Sequence, residues 1–425
     1  MRIEFFFDFA CPFAYLAMRE IEGLAARTGA DLVWRPILLG GVLKAIGSDE
    51  QLARQPAART EYSLTDRRRC AELRGAPLSA AVIHPQRTVR ALRTVLAVAD
   101  GPSRIALIHE LFRAYWERGE QVEDDLVLGR ALAACGLEAD GPLRAASEPA
   151  IKEELRRVTD EAMARGVFGV PTSIVTTPRG EQLLWGQDRL EQVEALLNGW
   201  HPGDGTPPVR AAEPPPPAVG DAVIEFWFDY SSPFSYLAST QIEQVARRAG
   251  ARLIWRPMLL GAVFKDIGQA NVPLFAMPDA KRRWMGSDLA MWAAWWGAPF
   301  RWASPFPQKT ITALRLALLA GDRIGELSHA LFRAIWVEGR NLEDEATLTG
   351  VLDTLGFDAA LLLAGTREPA TKQALIDSTA AAVRAGVFGA PSYLVRRAGA
   401  QRLFFGQDRL DQVERAARGD QVPSS

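Results

Sequence analysis

Two turns of this chain place a residue with a thiol or a hydroxyl group directly before a proline. They are Cys11-Pro12 and Ser232-Pro233, and each joins a short aromatic-rich segment, typical of a buried strand, to a helical pattern. Proline suits the first position of a helix, and the residue before it can cap the free backbone N–H groups. This end of a helix also stabilises an anion such as a thiolate. The alternative interpretation is that each of these residues only caps its helix and takes no part in a reaction.

The chain contains a long internal repeat with a period of about 220 residues. Besides the two turns, the matching segments are residues 34–36 and 255–257, 84–88 and 306–310, 111–114 and 331–334, 166–171 and 386–391, and 186–190 and 406–410. A repeat of this length indicates a duplicated domain, because the units of solenoid proteins are much shorter.

The composition restricts the classes of function. The 425 residues are 48% hydrophobic and 24% charged, which is typical of a globular protein with two or three domains. A net charge of −2 argues against a general nucleic-acid binder. The apolar runs predict neither a signal peptide nor a membrane span. Three cysteines without a C-x-x-C spacing favour the cytoplasm, and four scattered histidines predict no metal site.

The predicted elements of each repeat follow the thioredoxin order. A strand, a helix and a second strand precede a long helical segment, and a hairpin and a closing helix follow it. The prediction is an α/β fold of two tandem thioredoxin-like domains, each with a large all-helical insertion between its βαβ and ββα halves. The predicted boundaries are 1–200 for the first domain, 201–220 for a Pro-rich linker, 221–417 for the second domain and 418–425 for a tail.

Three parts of each repeat are expected to converge. They are the N-cap residue, the proline that opens the hairpin, and a Gly-Gln-Asp-Arg turn, whose aspartate Asp188 is also expected to cap the closing helix. A proline at a strand start can expose backbone groups to an extended ligand, especially in cis. A carboxylate beside an amide can hold an amino-acid head group. The candidate binding residues are Val170, Pro171, Gln187 and Asp188, and Ala390, Pro391, Gln407 and Asp408. The alternative interpretation is that the prolines only begin strands and the aspartates only cap helices, without binding a ligand.

The second repeat carries motifs that resemble those of the 2-hydroxychromene-2-carboxylate isomerases: Ser-Ser-Pro-Phe-Ser-Tyr-Leu, Trp-Arg-Pro-Met-Leu-Leu-Gly, Gly-Val-Phe-Gly-Ala-Pro and Phe-Gly-Gln-Asp-Arg-Leu. Those enzymes are grouped with the kappa-class glutathione transferases in the DsbA-like thioredoxin superfamily. The resemblance covers nearly the whole chain, once per repeat. It implies glutathione as cofactor, a small aromatic substrate, and a dimer of such domains, which this tandem supplies as a pseudo-dimer in a single, potentially monomeric chain.

The resemblance also implies roles for residues of the second repeat. Ser232 corresponds to the residue that holds the glutathione sulfur and favours its thiolate. The Ala390–Pro391 backbone is then expected to pair with the cysteinyl part, and Gln407 and Asp408 to bind the γ-glutamyl end. The helical insertion of the same repeat is expected to supply the substrate pocket. Its candidate substrate-binding residues are Asn271, Lys281, Trp284 and Asp288, with Trp284 in place of the usual tyrosine.

The first repeat departs from this pattern. Cys11 replaces the serine, Arg59 replaces Lys281, and no asparagine matches Asn271. A thiol at a helix N-terminus is expected to have a lowered pKa and to be reactive. Ala14 stands where a resolving cysteine would be, so a C-x-x-C disulfide is excluded. Cys11 can therefore form a mixed disulfide with glutathione or be a relic without function.

These observations favour a glutathione-dependent isomerase of the 2-hydroxychromene-2-carboxylate type. The cofactor thiol would add to a conjugated aromatic keto acid and leave after rotation or ring opening, with the second repeat as the active half. One alternative is a DsbA-like thiol-disulfide oxidoreductase or a glutathione transferase that uses Cys11. Another is a non-catalytic scaffold that binds a thiol peptide or a protein.

Overall fold

The computed structural model describes residues 1–48, 55–207, 221–269 and 272–420. Most of the predicted linker, the end of the predicted tail and Asn271 lie outside the described residues. Within the described ranges, no helix has both the length and the apolar composition that crossing a membrane requires.

The first repeat has four strands and a long run of helices between the second and third strand. Its strands and α-helices are β1 Arg2–Phe7, α1 Pro12–Thr28, β2 Asp31–Pro36, α2 Leu39–Ala45, α3 Ala57–Leu73, α4 Val89–Ala97, α5 Pro102–Trp116, α6 Asp125–Ala134, α7 Asp140–Ala145, α8 Pro149–Ala164, β3 Thr172–Thr177, β4 Gly180–Trp185 and α9 Leu190–Leu197. The helices from α2 to α8 form the predicted insertion.

The second repeat has the same order of elements. They are β5 Val223–Phe228, α10 Pro233–Arg248, β6 Arg252–Pro257, α11 Leu260–Asp266, α12 Asp279–Trp295, α13 Ile311–Leu319, α14 Ile324–Trp336, α15 Glu345–Thr354, α16 Ala359–Gly365, α17 Pro369–Arg384, β7 Ser392–Arg397, β8 Ala400–Phe405 and α18 Leu410–Arg418. Short 3-10 helices include Gln187–Arg189 and Gln407–Arg409, one before each closing helix.

Each repeat folds around a four-stranded mixed sheet. The strand orders are β2-β1-β3-β4 and β6-β5-β7-β8. In both sheets the first pair of strands is parallel and the other pairs are antiparallel. The parallel pair needs a crossover helix, which α1 and α10 provide. This topology confirms the predicted α/β class and the thioredoxin-like order.

The central strands are buried on both faces, which explains their nearly continuous apolar sequence. Phe226 and Phe228 of β5 both lie edge-on to Trp255 of β6, with ring centroids 5.1 and 5.5 Å apart. Phe5 and Phe7 of β1 contact Trp34 in the same way, at 5.3 and 5.7 Å. Aromatic clusters of this kind fix the strand from which each N-cap turn emerges.

The chain forms two compact units that differ slightly from the two repeats. The Cys11 unit consists of Met1–Arg54, Arg67–His201 and Pro278–Gly286. The Ser232 unit consists of Gln55–Asp66, Pro202–Met277 and Ser287–Ser425. Each unit therefore contains a short segment from the insertion of the other repeat: residues 278–286 in the Cys11 unit, and residues 55–66 in the Ser232 unit.

The prediction that Asp188 caps the closing helix was wrong. Helix α9 begins at Leu190, and its N-cap is Arg189. Asp188 lies in the preceding 3-10 turn, where its carboxylate contacts Arg189 Nη1 at 2.7 Å. The 3-10 turn follows Gly186, which has a positive φ of 114°, and the α-helix begins one residue later than an Asp188 cap would require.

Candidate functional site

Ser232 is the N-cap of α10, as the sequence predicted. Its backbone is extended, with φ −94° and ψ 113°, and its hydroxyl oxygen accepts the N–H of Ser235 at 3.1 Å. The same hydroxyl donates to the carbonyl oxygen of Ala390 at 3.1 Å. The residue is only 4% exposed. The hydroxyl therefore joins the start of a 16-residue helix to the backbone before Pro391.

Cys11 occupies the equivalent position at α1, and its thiol is also buried. Its Sγ donates to the carbonyl oxygen of Val170 at 3.1 Å. Burial raises the pKa of the Cys11 thiol to about 12, against the opposing effect of the backbone N–H groups of Phe13 and Ala14. The sequence-based expectation of a lowered pKa was therefore wrong. The cost of removing a thiolate from water exceeds the stabilisation that the helix N-terminus offers here.

Both hairpin prolines lie beside the N-cap residues. The Val170–Pro171 and Ala390–Pro391 peptide bonds are cis. The carbonyl of each proline accepts the N–H of the glycine that opens the Gly-Gln-Asp-Arg turn, Gly186 at 2.9 Å and Gly406 at 3.0 Å. Hydrogen bonds thus connect the N-cap, the cis proline and the turn in each repeat, and the three predicted parts converge.

The turn of the second repeat presents a carboxylate at its surface. Gly406 has a φ of 104°, and a Cβ there would lie 2.5 Å from Asp408 Oδ1. Only glycine therefore lets the Asp408 carboxylate fold back over the turn. Arg409 Nη1 contacts this carboxylate at 3.2 Å, and the Asp408 side chain keeps 17% of its surface exposed. Gln407, next to it, is buried.

The turn of the first repeat is built in the same way. A Cβ at Gly186 would collide with Asp188 Oδ1. Gln187 is buried, with its Nε2 3.6 Å from Cys70 Sγ. Within the described residues, the Gln187 Oε1 atom has no hydrogen-bond partner. This unit therefore holds a buried acceptor behind a partly exposed carboxylate.

A buried carboxylate behind each N-cap turn was not predicted to have a role. Asp229 accepts hydrogen bonds from Ser231 N at 3.0 Å, Leu260 N at 2.9 Å and Thr310 Oγ1 at 2.6 Å. It therefore ties the turn to the start of α11 and to the N-cap of α13. Burial raises the pKa of Asp229, although these hydrogen bonds oppose the shift.

Asp8 makes the same three contacts in the first repeat, with Ala10 N at 3.0 Å, Leu39 N at 2.8 Å and Thr88 Oγ1 at 2.7 Å. Burial raises its pKa as well. The available signal was the presence of the aspartate at the same place in both turns, three residues before the N-cap.

A buried tryptophan supports each turn from the insertion. Trp336 Nε1 donates to the carbonyl of Tyr230 at 2.8 Å, and Trp116 Nε1 donates to the carbonyl of Phe9 at 2.9 Å. Both tryptophans end the corresponding helix of their repeat, α14 and α5. Sequence reasoning missed them, although both follow the repeated Leu-Phe-Arg-Ala segment at the same spacing.

The structure separates the candidate substrate-binding residues of the second insertion. Lys281 and Trp284 belong to the Cys11 unit, and Asp288 belongs to the Ser232 unit, where it is buried. The Trp284 ring contacts Phe168 at 5.4 Å and Trp185 at 5.0 Å, and Lys281 Nζ lies 5.3 Å from the Trp185 ring centre. This differs from the expectation that one insertion supplies the pocket of its own repeat.

The Ser232 unit contains the counterparts from the first insertion instead. Arg59 and Tyr62, which align with Lys281 and Trp284, both belong to it. Tyr62 is a tyrosine, the residue type that Trp284 replaces in the second repeat. The repeat pattern places these residues at matching positions but contains no information on the unit in which each segment packs.

A family model for the DSBA-like thioredoxin domain matches the chain twice, over residues 2–198 and 223–418. The chain belongs to the DSBA-like thioredoxin family. Its two DSBA-like domains account for nearly all of the described residues, and each match contains one N-cap turn, one cis proline and one Gly-Gln-Asp-Arg turn.

Relatives of the DSBA-like domains include named enzymes. A 2-hydroxychromene-2-carboxylate isomerase of Sphingobium xenophagum is 30% identical over 197 residues, 45% of this chain and 95% of that protein. Glutathione S-transferase kappa 1 of Rattus norvegicus is 26% identical over 223 residues, 49% of this chain and 96% of that protein. Each of these sequences has about the length of one repeat. A solved 2-hydroxychromene-2-carboxylate isomerase structure aligns at 24% identity and a TM-score of 0.42, covering 46% of this chain and 93% of that one.

Proposed function

We propose that the chain is a glutathione-dependent isomerase whose active site lies in the Ser232 unit. The proposed substrate is an aromatic, conjugated keto acid of the 2-hydroxychromene-2-carboxylate type. The observation that carries the proposal is the buried Ser232 hydroxyl, which is fixed at the N-terminus of α10 and against the carbonyl before a cis proline. The names of the relatives supply the reaction class and the cofactor.

The residues around Ser232 fit the chemistry of glutathione. The tripeptide offers a thiol, amide groups and a γ-glutamyl end with an ammonium group. A hydroxyl at a helix N-terminus suits an anionic sulfur, and the Ala390–Pro391 backbone suits the cysteinyl amides. The partly exposed Asp408 carboxylate suits the ammonium group. The Tyr393 hydroxyl, which Asp408 influences electrostatically, is buried and has no hydrogen-bond partner among the described residues.

The proposed role of the protein is to ionise the glutathione thiol and to orient it toward the substrate. Bound glutathione supplies a thiol that, as thiolate, adds reversibly to a conjugated keto acid. Ser232 and the α10 N-terminus are proposed to lower the pKa of that thiol, because a hydrogen-bond donor and the positive helix end both favour the charged form. Gln407 and Asp408 are proposed to hold the γ-glutamyl end, which fixes the sulfur relative to the substrate.

No structural observation favours the thiol–disulfide alternative. That chemistry requires a reactive Cys11 thiolate, and burial raises the pKa of this thiol to about 12. Ala14 also occupies the position of a resolving cysteine. We propose that Cys11 has no part in turnover, and that the two domains act as a pseudo-dimer within one chain. The cytoplasmic location stays a prediction of the sequence.

The experiment is a spectrophotometric assay with 2-hydroxychromene-2-carboxylate and glutathione. Turnover should require glutathione, be lost in Ser232→Ala and persist in Cys11→Ala. Turnover that is independent of glutathione, or unchanged in Ser232→Ala, would overturn the proposal. Glutathione binding by calorimetry without turnover of any conjugated keto acid would support the scaffold alternative instead.

A further inference from the structure

The Gly-Gln-Asp-Arg turn of the Ser232 unit is held from outside its own repeat. Tyr62, in helix α3 of the first repeat, accepts the backbone N–H of Phe405 at its hydroxyl, at 2.9 Å. Its ring contacts Phe388 at 5.3 Å and Phe405 at 6.2 Å. Phe405 is the last residue of β8 and directly precedes Gly406, so this contact fixes the backbone where the turn begins.

A buried ion pair fixes the other end of the same turn. Arg409 donates through Nε and Nη2 to the two carboxylate oxygens of Asp66, both at 2.9 Å. Asp66 is 5% exposed and Arg409 is 8% exposed. A bidentate ion pair of this kind sets the plane of the guanidinium group, and removing one partner leaves the other as an unpaired buried charge. The third nitrogen, Nη1, contacts Asp408 Oδ1 at 3.2 Å, so the direction of the Asp408 carboxylate depends on Asp66.

The Cys11 unit contains the same kind of exchange with a different side chain. Trp284 of the second repeat packs on Phe168 and Trp185, which align with Phe388 and Phe405. The packing of an aromatic side chain from one repeat on this pair of rings therefore occurs in both units. The indole of Trp284 has no hydroxyl that could accept a backbone N–H as Tyr62 does from Phe405 at the end of β8. This hydrogen bond is therefore a feature of the Ser232 unit, the unit with the serine N-cap.

We propose that Tyr62 and Asp66 are positioning residues of the Ser232 site. The first repeat, whose own N-cap is a cysteine, supplies the two groups that hold Asp408 in the geometry that receives the γ-glutamyl end of glutathione. This inference rests on the proposed function, since glutathione is its ligand. It assigns a function to the duplication: the active site of the second repeat is incomplete without the insertion of the first.

The test is glutathione binding by calorimetry and steady-state kinetics on full-length Asp66→Asn. The substitution keeps the side-chain size and removes the charge that orients Arg409. We expect the Kd and KM for glutathione to rise roughly tenfold, with kcat at saturating glutathione close to wild type, because supporting residues orient ligand-binding groups without touching the reacting atoms. Ser232→Ala, by contrast, should lower kcat.

Two further variants separate positioning from folding. Glu414→Gln breaks the Arg248–Glu414 pair between α10 and α18 of the same unit and should leave the Kd for glutathione unchanged. Tyr62→Phe removes one hydroxyl, keeps the ring, and should raise the Kd by a smaller factor; it decides the matter if Asp66→Asn does not fold.

The outcomes distinguish this inference from the proposed function. Wild-type binding with an unchanged Kd in both Asp66→Asn and Tyr62→Phe would overturn the inference and leave the proposed function standing. A wild-type chain that binds no glutathione would overturn both. A double variant, Asp66→Asn with Arg409→Gln, removes the buried guanidinium charge as well. If its KM for glutathione returned to the wild-type value, Arg409 would not be needed to orient Asp408. The raised KM of Asp66→Asn would then be a folding effect, which would also overturn the inference.

Discussion

The Cys11 unit and the Ser232 unit build the same turn and place different groups in it. Both N-cap residues have nearly identical extended backbones, and both donate to the carbonyl before a cis proline at 3.1 Å. A hydroxyl in this position stays neutral and remains a hydrogen-bond donor. A thiol would have to ionise to react, and burial opposes its ionisation. The N-cap position therefore suits a neutral hydrogen-bond donor such as the Ser232 hydroxyl better than a side chain that must ionise to act as a nucleophile, such as the Cys11 thiol.

The largest expected difference between the units is in catalysis. Ser232→Ala should lower kcat/KM by about 10²-fold, the typical effect of removing one donor to a reacting anion. Cys11→Ala should leave kcat/KM unchanged. The measurement is the glutathione-dependent assay with both variants in parallel. A large loss in Cys11→Ala with activity retained in Ser232→Ala would reverse the assignment of the active unit.

The buried aspartates should be equally important for stability in the two units. Asp229→Ala and Asp8→Ala each leave three donors without their acceptor and should each cost about 3 kcal/mol of the free energy of unfolding. Urea denaturation monitored by tryptophan fluorescence measures this. A large cost at one position and none at the other would show that the two turns are not equivalent.

The same aspartates predict a pH dependence. Because burial raises the pKa of Asp229, the folded state binds its proton more tightly than the unfolded state. The contribution of this carboxyl to stability is therefore complete at low pH and is lost as the pH rises from the unfolded pKa through the raised folded pKa. Urea midpoints of Asp229→Ala should lack this loss, and an identical pH profile of wild type and variant would contradict the assigned shift.

A smaller effect is expected from the turn glycines. Gly406→Ala would place a Cβ 2.5 Å from Asp408 Oδ1 at a φ of 104°. It should cost on the order of 1–3 kcal/mol of stability and raise the KM for glutathione, since the Asp408 carboxylate must move. Gly186→Ala should have a similar cost in stability and no effect on KM. Equal effects on KM would indicate ligand binding in both units.

The smallest effect concerns the reactivity of Cys11. With a pKa of about 12, the native thiol should react with iodoacetamide more slowly than the half-buried Cys135 at about pH 8, and its rate should keep rising with pH. Peptide mass spectrometry after timed labelling follows each cysteine separately. A rate for Cys11 that levels off near neutral pH would indicate a lowered pKa and restore the redox alternative.

The sequence predicted the parts of the site that local rules determine. The Ser-Pro pair marked the start of α10, and the repeated motifs located the cis proline and the turn beside it. It failed where tertiary packing decides the outcome. The pKa of Cys11 depends on burial by elements far apart in the chain, and the local helix rule alone gave the wrong direction.

The exchange of insertion segments could not be predicted from the repeat. Residues 56–64 align with residues 278–286, and an alignment does not distinguish packing within a repeat from packing in the other unit. The role of Asp66 depends on Arg409, which lies 343 residues away in sequence. The prediction that Asp188 caps α9 failed because Asp188 lies within a 3-10 turn that precedes the α-helix.

The most direct test of the account is an ultraviolet titration of the glutathione thiolate on the protein. Free thiols of this kind have a pKa of about 8.5. Wild type and Cys11→Ala should show the thiolate absorbance of bound glutathione appearing at a lower pH than for free glutathione, and Ser232→Ala should not. A thiolate that forms at the same pH in Ser232→Ala as in wild type would contradict the central role of the Ser232 hydroxyl.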